Sequence, residues 1–256
     1  MVTRARAQSG EITSQLEALG ATVIHCPTIE VVPPSSWAPL DAAIRRVREY
    51  DWVVFTSANA VDFFLVRLRE KEDDHIEALS QTAICAIGPA TSQTLEAAGL
   101  AVSVVASDST AEGALAAIVE HLGGPDRVAG LSFLIPRAKV ARDVLPAGLH
   151  SLGGLVDAVE AYQTVKPNIE SESITRQFEE TSIDVIAFTS SSTVSNFSTL
   201  VGSRDLSVLL RNTLVACIGP VTAETAAEHG LEKTIRPETY NISALVEAIV
   251  DAIDQG

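Results

Sequence analysis

Four short apolar segments, each running straight into a polar turn and an alanine-rich stretch, occur in the chain as two pairs at a nearly constant offset. Trp52-Val-Val-Phe-Thr-Ser57 returns 133 residues on as Val185-Ile-Ala-Phe-Thr-Ser190, and Ala83-Ile-Cys-Ala-Ile-Gly-Pro89 returns 131 residues on as Leu214-Val-Ala-Cys-Ile-Gly-Pro220. Gly99-Leu100 and Gly230-Leu231 repeat in the same way, as do Thr3-Arg4-Ala5 with Pro136-Arg137-Ala138 and Gly20-Ala-Thr-Val23 with Gly153-Gly-Leu-Val156. A chain with this internal symmetry holds one fold unit twice. Unbroken apolar runs that alternate with helical stretches mark parallel strands covered on both faces, so the class is α/β.

The repeat places strands near residues 1–3, 22–26, 52–56, 83–87 and 102–105, and again near 131–135, 156–160, 185–189, 214–218 and 233–235. Five parallel strands per unit with helices on both faces suit a flavodoxin-like lobe, whose ligands sit where strand ends meet helix N-termini. The repeat alone leaves two ways to divide the chain: two consecutive lobes, or one lobe made of both chain ends with the other inserted. Two extended stretches at matching places, Ile29-Glu-Val-Val-Pro-Pro34 and Ala161-Tyr-Gln-Thr-Val-Lys-Pro167, have the proline and β-branched content of semi-rigid linkers. If they cross between lobes, residues 36–160 form the inserted lobe and residues 1–28 with 168–256 the other, with 29–35 and 161–167 as linker strands.

Composition narrows the function. With 256 residues, 46% of them hydrophobic, the chain can fill two cores. No apolar run approaches the ~18 residues of a membrane span, and Met1 leads into Thr3-Arg4-Ala5-Arg6 rather than a signal peptide, so a cytoplasmic protein is expected. Cys26, Cys85 and Cys217 lie far apart in apolar runs and are read as buried thiols; the five histidines are scattered, and no metal site is expected. A net charge of −15 argues against a nucleic-acid surface, while a local cluster of cations and main-chain amides can still bind an anion. Neither GxGxxG after a strand nor GxxxxGK[ST] occurs, which argues against a nucleotide-dependent enzyme. The run Arg67-Leu-Arg-Glu-Lys-Glu-Asp-Asp74 is read as a solvated helix end and loop.

Phe55-Thr-Ser-Ala-Asn-Ala-Val61, Pro136-Arg-Ala with Arg142-Asp-Val-Leu145, Ala161-Tyr-Gln-Thr-Val165 and Cys217-Ile-Gly-Pro-Val-Thr222 resemble, in that order, the marker segments of uroporphyrinogen-III synthases. The resemblance runs from residue 2 to about residue 250 and implies two flavodoxin-like lobes joined by a two-stranded ladder, which selects the inserted-lobe division. It also implies the substrate, hydroxymethylbilane, a linear tetrapyrrole with eight carboxylates that is dehydrated and cyclised with ring D reversed. It implies no cofactor, and a monomer is expected. Only Met1 and Val2 precede the Thr-Arg pair, where the family has several apolar residues; a longer native polypeptide, fused upstream to another tetrapyrrole enzyme, is the expectation drawn from this.

Losing the terminal hydroxyl turns an electron-rich pyrrole into an azafulvene cation, and the same substrate cyclises unaided to the unreversed isomer. An enzyme therefore has to help the hydroxyl leave and hold the chain folded, which is an effect of proximity and orientation. The residues offered fit: Ser57, Asn59, Thr91, Ser190, Ser192 and Thr222 all fall where strand gives way to helix, as candidate substrate-binding groups that also serve as helix caps. Tyr162, in the linker segment, is the candidate general acid, with an anchoring role for its ring as the plainer reading. Arg4 and Arg137, related by the repeat, are the candidate carboxylate partners, followed by Lys139, Arg142 and Lys166. A non-catalytic, hinged two-lobe binding protein for small molecules shares the same architecture and is the alternative function.

Overall fold

The computed structural model describes residues 1–71, 75–106, 108 and 110–255 of the chain. In chain order the first half comprises α1 (Gly10–Ala18), β1 (Glu30–Val32), α2 (Ala38–Arg45), β2 (Trp52–Phe55), α3 (Ala58–Lys71), α4 (His75–Ser80), β3 (Ala83–Ile87), α5 (Pro89–Ala97), β4 (Val104–Ala106) and α6 (Ala111–Leu122). The second half continues with β5 (Ser132–Ala138), α7 (Val144–Ser151), β6 (Leu155–Val165), α8 (Ser171–Glu180), β7 (Val185–Phe188), α9 (Ser191–Val201), α10 (Leu206–Leu209), β8 (Leu214–Cys217), α11 (Pro220–Glu228), β9 (Thr234–Ile235) and α12 (Ile242–Asp254). The chain separates into two compact units, one made of Met1–Glu30 and Val165–Gly256, the other of Val31–Thr164.

In the continuous unit the strands lie in the order β1-β6-β5-β2-β3-β4. The pairings β6-β5, β5-β2, β2-β3 and β3-β4 are all parallel. The sequence explains why both faces are covered: successive side chains of a strand point to opposite sides. Val53 and Phe55 of β2 pack into the core that holds α2 and α3, with Ile84 of β3 and Leu134 of β5. Trp52 and Val54 enter the opposite core with Cys85, Phe133, Ile118 of α6 and Leu149 of α7. All four residues of β2 are buried, as a central parallel strand requires.

The split unit is built in the same way around a shorter sheet, β7-β8-β9, also parallel. Ile186, Phe188, Val215 and Cys217 face α9 and α11, while Ala187 and Ala216 face α1 and α12. Val2 extends this sheet through single parallel bridges to Ala187 and to His25, so the neighbour order is residues 24–26, residues 1–3, β7, β8, β9. Under the sequence repeat this order corresponds term by term to β6-β5-β2-β3-β4.

Strand numbers differ from the expected five and five: the sheets hold six and three strands among the described residues. Two local causes account for this. The expected strand 156–160 and the expected linker 161–167 form one continuous strand, β6, because no glycine or proline interrupts Val156 to Val165; Pro167 lies just past its end, and β1 pairs along its outer edge. In the split unit, the chain turns into a 3-10 helix at Arg6–Gln8, capped by Ala5 just beyond this strand segment, leaving Val2 alone to bridge its neighbours.

The charged run that closes α3 is exposed at Arg69, Glu70 and Lys71, in line with its reading as solvated, but Arg67 differs. Arg67 donates from Nε and Nη2 to the two carboxylate oxygens of Asp41, at 2.6 and 2.7 Å, and its guanidinium lies 4.8 Å from the centre of the Trp37 ring. It is the clamp between α2 and α3, and sequence charge density gave no sign of it because Asp41 is distant in the chain. Residues 72–74 of that run lie outside the described residues.

Candidate active site

The carboxyl ends of β2, β5 and β6 bring together the groups with most chemical potential in the continuous unit. Ser57 follows β2 and opens α3: its Oγ accepts the Ala60 N–H at 3.2 Å, the bond of a helix N-cap. The same Oγ lies 3.0 Å from the phenolic oxygen of Tyr162 on β6, and either oxygen can donate. Tyr162 is only 8% exposed; its ring stacks on Phe63 of α3 at 5.9 Å and 23°. Tyr162 is thus an anchored strand residue rather than a free linker side chain, and its hydroxyl is directed at the start of a helix.

Asn59, one residue into α3, is half-buried. Beyond β3, Gly88 adopts φ +84° and Pro89 starts α5, an arrangement that sets Thr91 in the first helical turn, where it is buried at 3% exposure. Arg137, near the end of β5, does not stand free. Its Nη1 lies 2.7 Å from Asp143 Oδ1 and 3.4 Å from the Arg142 carbonyl oxygen. Lys139 donates from its main-chain N–H to the Tyr162 carbonyl at 2.9 Å and from Nζ to Ser35 Oγ at 2.6 Å. Ser35 N–H in turn donates to Glu160 Oε1 at 2.7 Å, and Gln163 Nε2 to the Pro33 carbonyl at 3.0 Å, so the segment after β1 is tied to β6. Arg142 is 73% exposed and 4.0 Å from Glu112, and Lys166 is exposed.

In the split unit, Ser190 is the N-cap of α9 and forms a reciprocal capping box with Thr193; its Oγ is 2.9 Å from Ser192 Oγ, and Ser192 is exposed. Thr222 is buried at 4% exposure in the first turn of α11. Arg4 is half-buried and donates from Nε to Gln8 Oε1 at 3.4 Å. The hydroxyls of Thr3 and Thr28 lock this end of the sheet, donating to the carbonyls of Ala187 and Thr3. Residue types alone therefore located the turns, and the structure separates hydroxyls near the surface (Ser57, Ser190, Ser192) from hydroxyls inside (Thr91, Thr222).

Two residues at these ends escaped the sequence reading. Asp143 stands in the Arg142-Asp-Val-Leu145 stretch, and only the fold shows that it answers Arg137. Tyr240 is 63% exposed, and its ring covers the Gly219 turn so closely that a methyl group at Gly219 would lie 3.3 Å from the ring.

The family model for uroporphyrinogen-III synthase HemD matches residues 10–247 of the chain. The chain belongs to the uroporphyrinogen-III synthase family. Among curated uroporphyrinogen-III synthases, that of Synechococcus elongatus is 34% identical, over 97% of this chain and 93% of its own. That of Chlorobaculum parvum is 28% identical, over 99% and 98%. The fold is shared with the crystal structures of uroporphyrinogen III synthase from Thermus thermophilus, at TM-score 0.61, 16% identity and coverage of 100% and 98%, and from Helicobacter pylori, at 0.58, 18%, 91% and 94%. Among the described residues no helix is long and apolar enough to cross a membrane.

Proposed function

We propose that this member of the uroporphyrinogen-III synthase family dehydrates and cyclises hydroxymethylbilane to uroporphyrinogen III, with ring D inverted, and that Tyr162 is its general acid. The observation that carries the catalytic part is the 3.0 Å contact between the Tyr162 hydroxyl and Ser57 Oγ at the carboxyl end of the sheet. In the step, the bond between the terminal carbon and its hydroxyl oxygen breaks, and the oxygen leaves as water after taking a proton from Tyr162. The resulting azafulvene cation is attacked by the ring D carbon that already carries the bridge to ring C, giving a spiro centre. That bridge bond then breaks to leave an azafulvene cation on ring C, which bonds to the free α-carbon of ring D. The proton of that α-carbon is lost as the pyrrole regains aromaticity, so the sum is loss of one water with ring D reversed. Ser57 replenishes or orients the phenolic proton.

Binding is assigned to strand-end groups within each unit. Ser57, Asn59, Ser190 and Ser192 offer hydroxyl and amide donors, Arg137 and Arg4 offer charge, and the helix starts at Thr91 and Thr222 offer main-chain N–H groups to the substrate's carboxylates. We read each unit as a flavodoxin-like lobe, with residues 29–35 and 161–167 as linkers; the breaks between the compact units, after residues 30 and 164, support this. The test supplies freshly made hydroxymethylbilane and quantifies the uroporphyrin isomers after oxidation. Isomer III in excess of the spontaneous product is the expected result, and isomer I alone at the spontaneous rate would overturn the reading.

A further inference from the structure

Arg137 and Asp143 form an ion pair of unequal partners: the arginine side chain is 19% exposed and the aspartate 76%. The cation is built into the end of β5, whereas the carboxylate reaches it from solvent. Asp143 also stands at the N-cap of α7, where an aspartate ordinarily accepts an N–H of its own helix, yet it makes no side-chain cap bond. Its carboxylate has turned back to Arg137 instead. The segment between them is held at its ends, by Lys139 on the Tyr162 carbonyl and Ser35 Oγ, and by Arg137 on the Arg142 carbonyl and Asp143, with Arg142 4.0 Å from Glu112. At its middle, Val140 is 89% exposed, an unusual position for a large apolar side chain.

We propose that Asp143 is a positioning residue, a placeholder carboxylate that keeps Arg137 ordered and yields it to one carboxylate of the substrate. The inference rests on the polycarboxylate substrate proposed above. A carboxylate from outside offers Arg137 the same charge and geometry as Asp143, and an ion pair with so exposed a partner is easily exchanged. The displaced aspartate has somewhere to go: the N-terminus of α7 favours a negative charge. Pro146, at the third position of that helix, lacks an N–H, so Leu145 N–H is the cap donor that remains. Substrate arrival thus trades the ion pair with Arg137 for a cap on α7.

The test measures binding of uroporphyrin III, a stable octacarboxylate, together with the KM for hydroxymethylbilane. Asp143→Asn removes the competing charge, and Asp143→Ser, too short to reach Arg137, retains a capping group. Both should tighten binding about two- to fivefold, the size expected for releasing an exposed ion pair. The gain should vanish when Arg137 is already Gln, because the pair then no longer exists. Unchanged affinity in both Asp143 variants overturns the proposal. So does an equal gain in the Arg137→Gln background, which would reduce the effect to long-range charge. Uroporphyrin binding is read without turnover, so this result and the formation of isomer III can fail independently.

Discussion

Tyr162 and Ser57 share one hydrogen bond between two hydroxyls, so a proton given up by the phenol can be made good through its neighbour. Tyr162→Phe should keep the ring on Phe63 and leave substrate binding nearly intact, while kcat falls by no more than ~100-fold, since water can serve as a poorer donor. Steady-state kinetics check this, and unchanged kcat would remove Tyr162 as the acid. Ser57→Ala combined with Tyr162→Phe should cost less than the product of the single losses, because the two groups act through one bond. Burial sets the behaviour of the thiols: it pushes Cys26 up to about 11 and Cys85 and Cys217 up to about 12. At pH 8 a thiol reagent should label none of the three in the folded protein and all three after unfolding. Their burial was legible in the sequence from apolar neighbours. The partner of Tyr162 was not, since Ser57 lies 105 residues earlier. Nor was the engagement of Arg137, because an aspartate before a helix reads as a cap until the fold shows its carboxylate turned elsewhere.

Among the elements, the two Gly-Pro helix starts look alike in sequence and differ in conformation. Gly88 has φ +84°, a region that L side chains enter at a cost, so Gly88→Ala should lower stability by about 1–2 kcal/mol. Gly219 is extended at φ −167°, where any residue fits the backbone, and Gly219→Ala instead presses on the Tyr240 ring. Paired with Tyr240→Ala, it should regain its lost stability, whereas Gly88→Ala should not, as thermal melts would show. The α2–α3 clamp is pH-dependent. Hydrogen bonds from Arg67 hold the Asp41 carboxyl below its ordinary range, with Lys71 adding to the effect. A carboxylate lowered in the folded state adds stability above its unfolded pKa, near ~4, and loses it as pH falls through the folded value. Asp41→Asn should therefore lower Tm at pH 7, and the gap from the parent should close as the pH is taken below the ordinary carboxylate range. Strand positions were legible because buried parallel strands are unbroken apolar runs. The merging of linker and strand into β6 was not, since proline content marks where a strand stops and leaves open where it begins.

At the level of the whole molecule, the continuous unit owns both of its cores: every residue of the two clusters that flank its sheet lies between 31 and 164. A fragment spanning residues 31–164 should fold cooperatively, with native-like circular dichroism and a single thermal transition, and on the binding roles proposed above it should be inactive because it lacks Arg4, Ser190, Ser192 and Thr222. A fragment that melts without a transition would show that the unit depends on the other. The repeat made the sharing of one neighbour order by the two units predictable, since equal segments in equal order have equal places to go. The split unit is the opposite case. Its first strand segment depends on partners far along the chain: Thr3 donates to the carbonyl of Ala187, 184 residues away. On a ribosome adding about 5–20 residues per second, those first residues wait roughly 10–40 s for their neighbours, while the intervening unit completes itself. Birth order therefore runs from the middle outward, and the amino-terminal arm, helix and all, is a late arrival to a sheet whose other strands are made last.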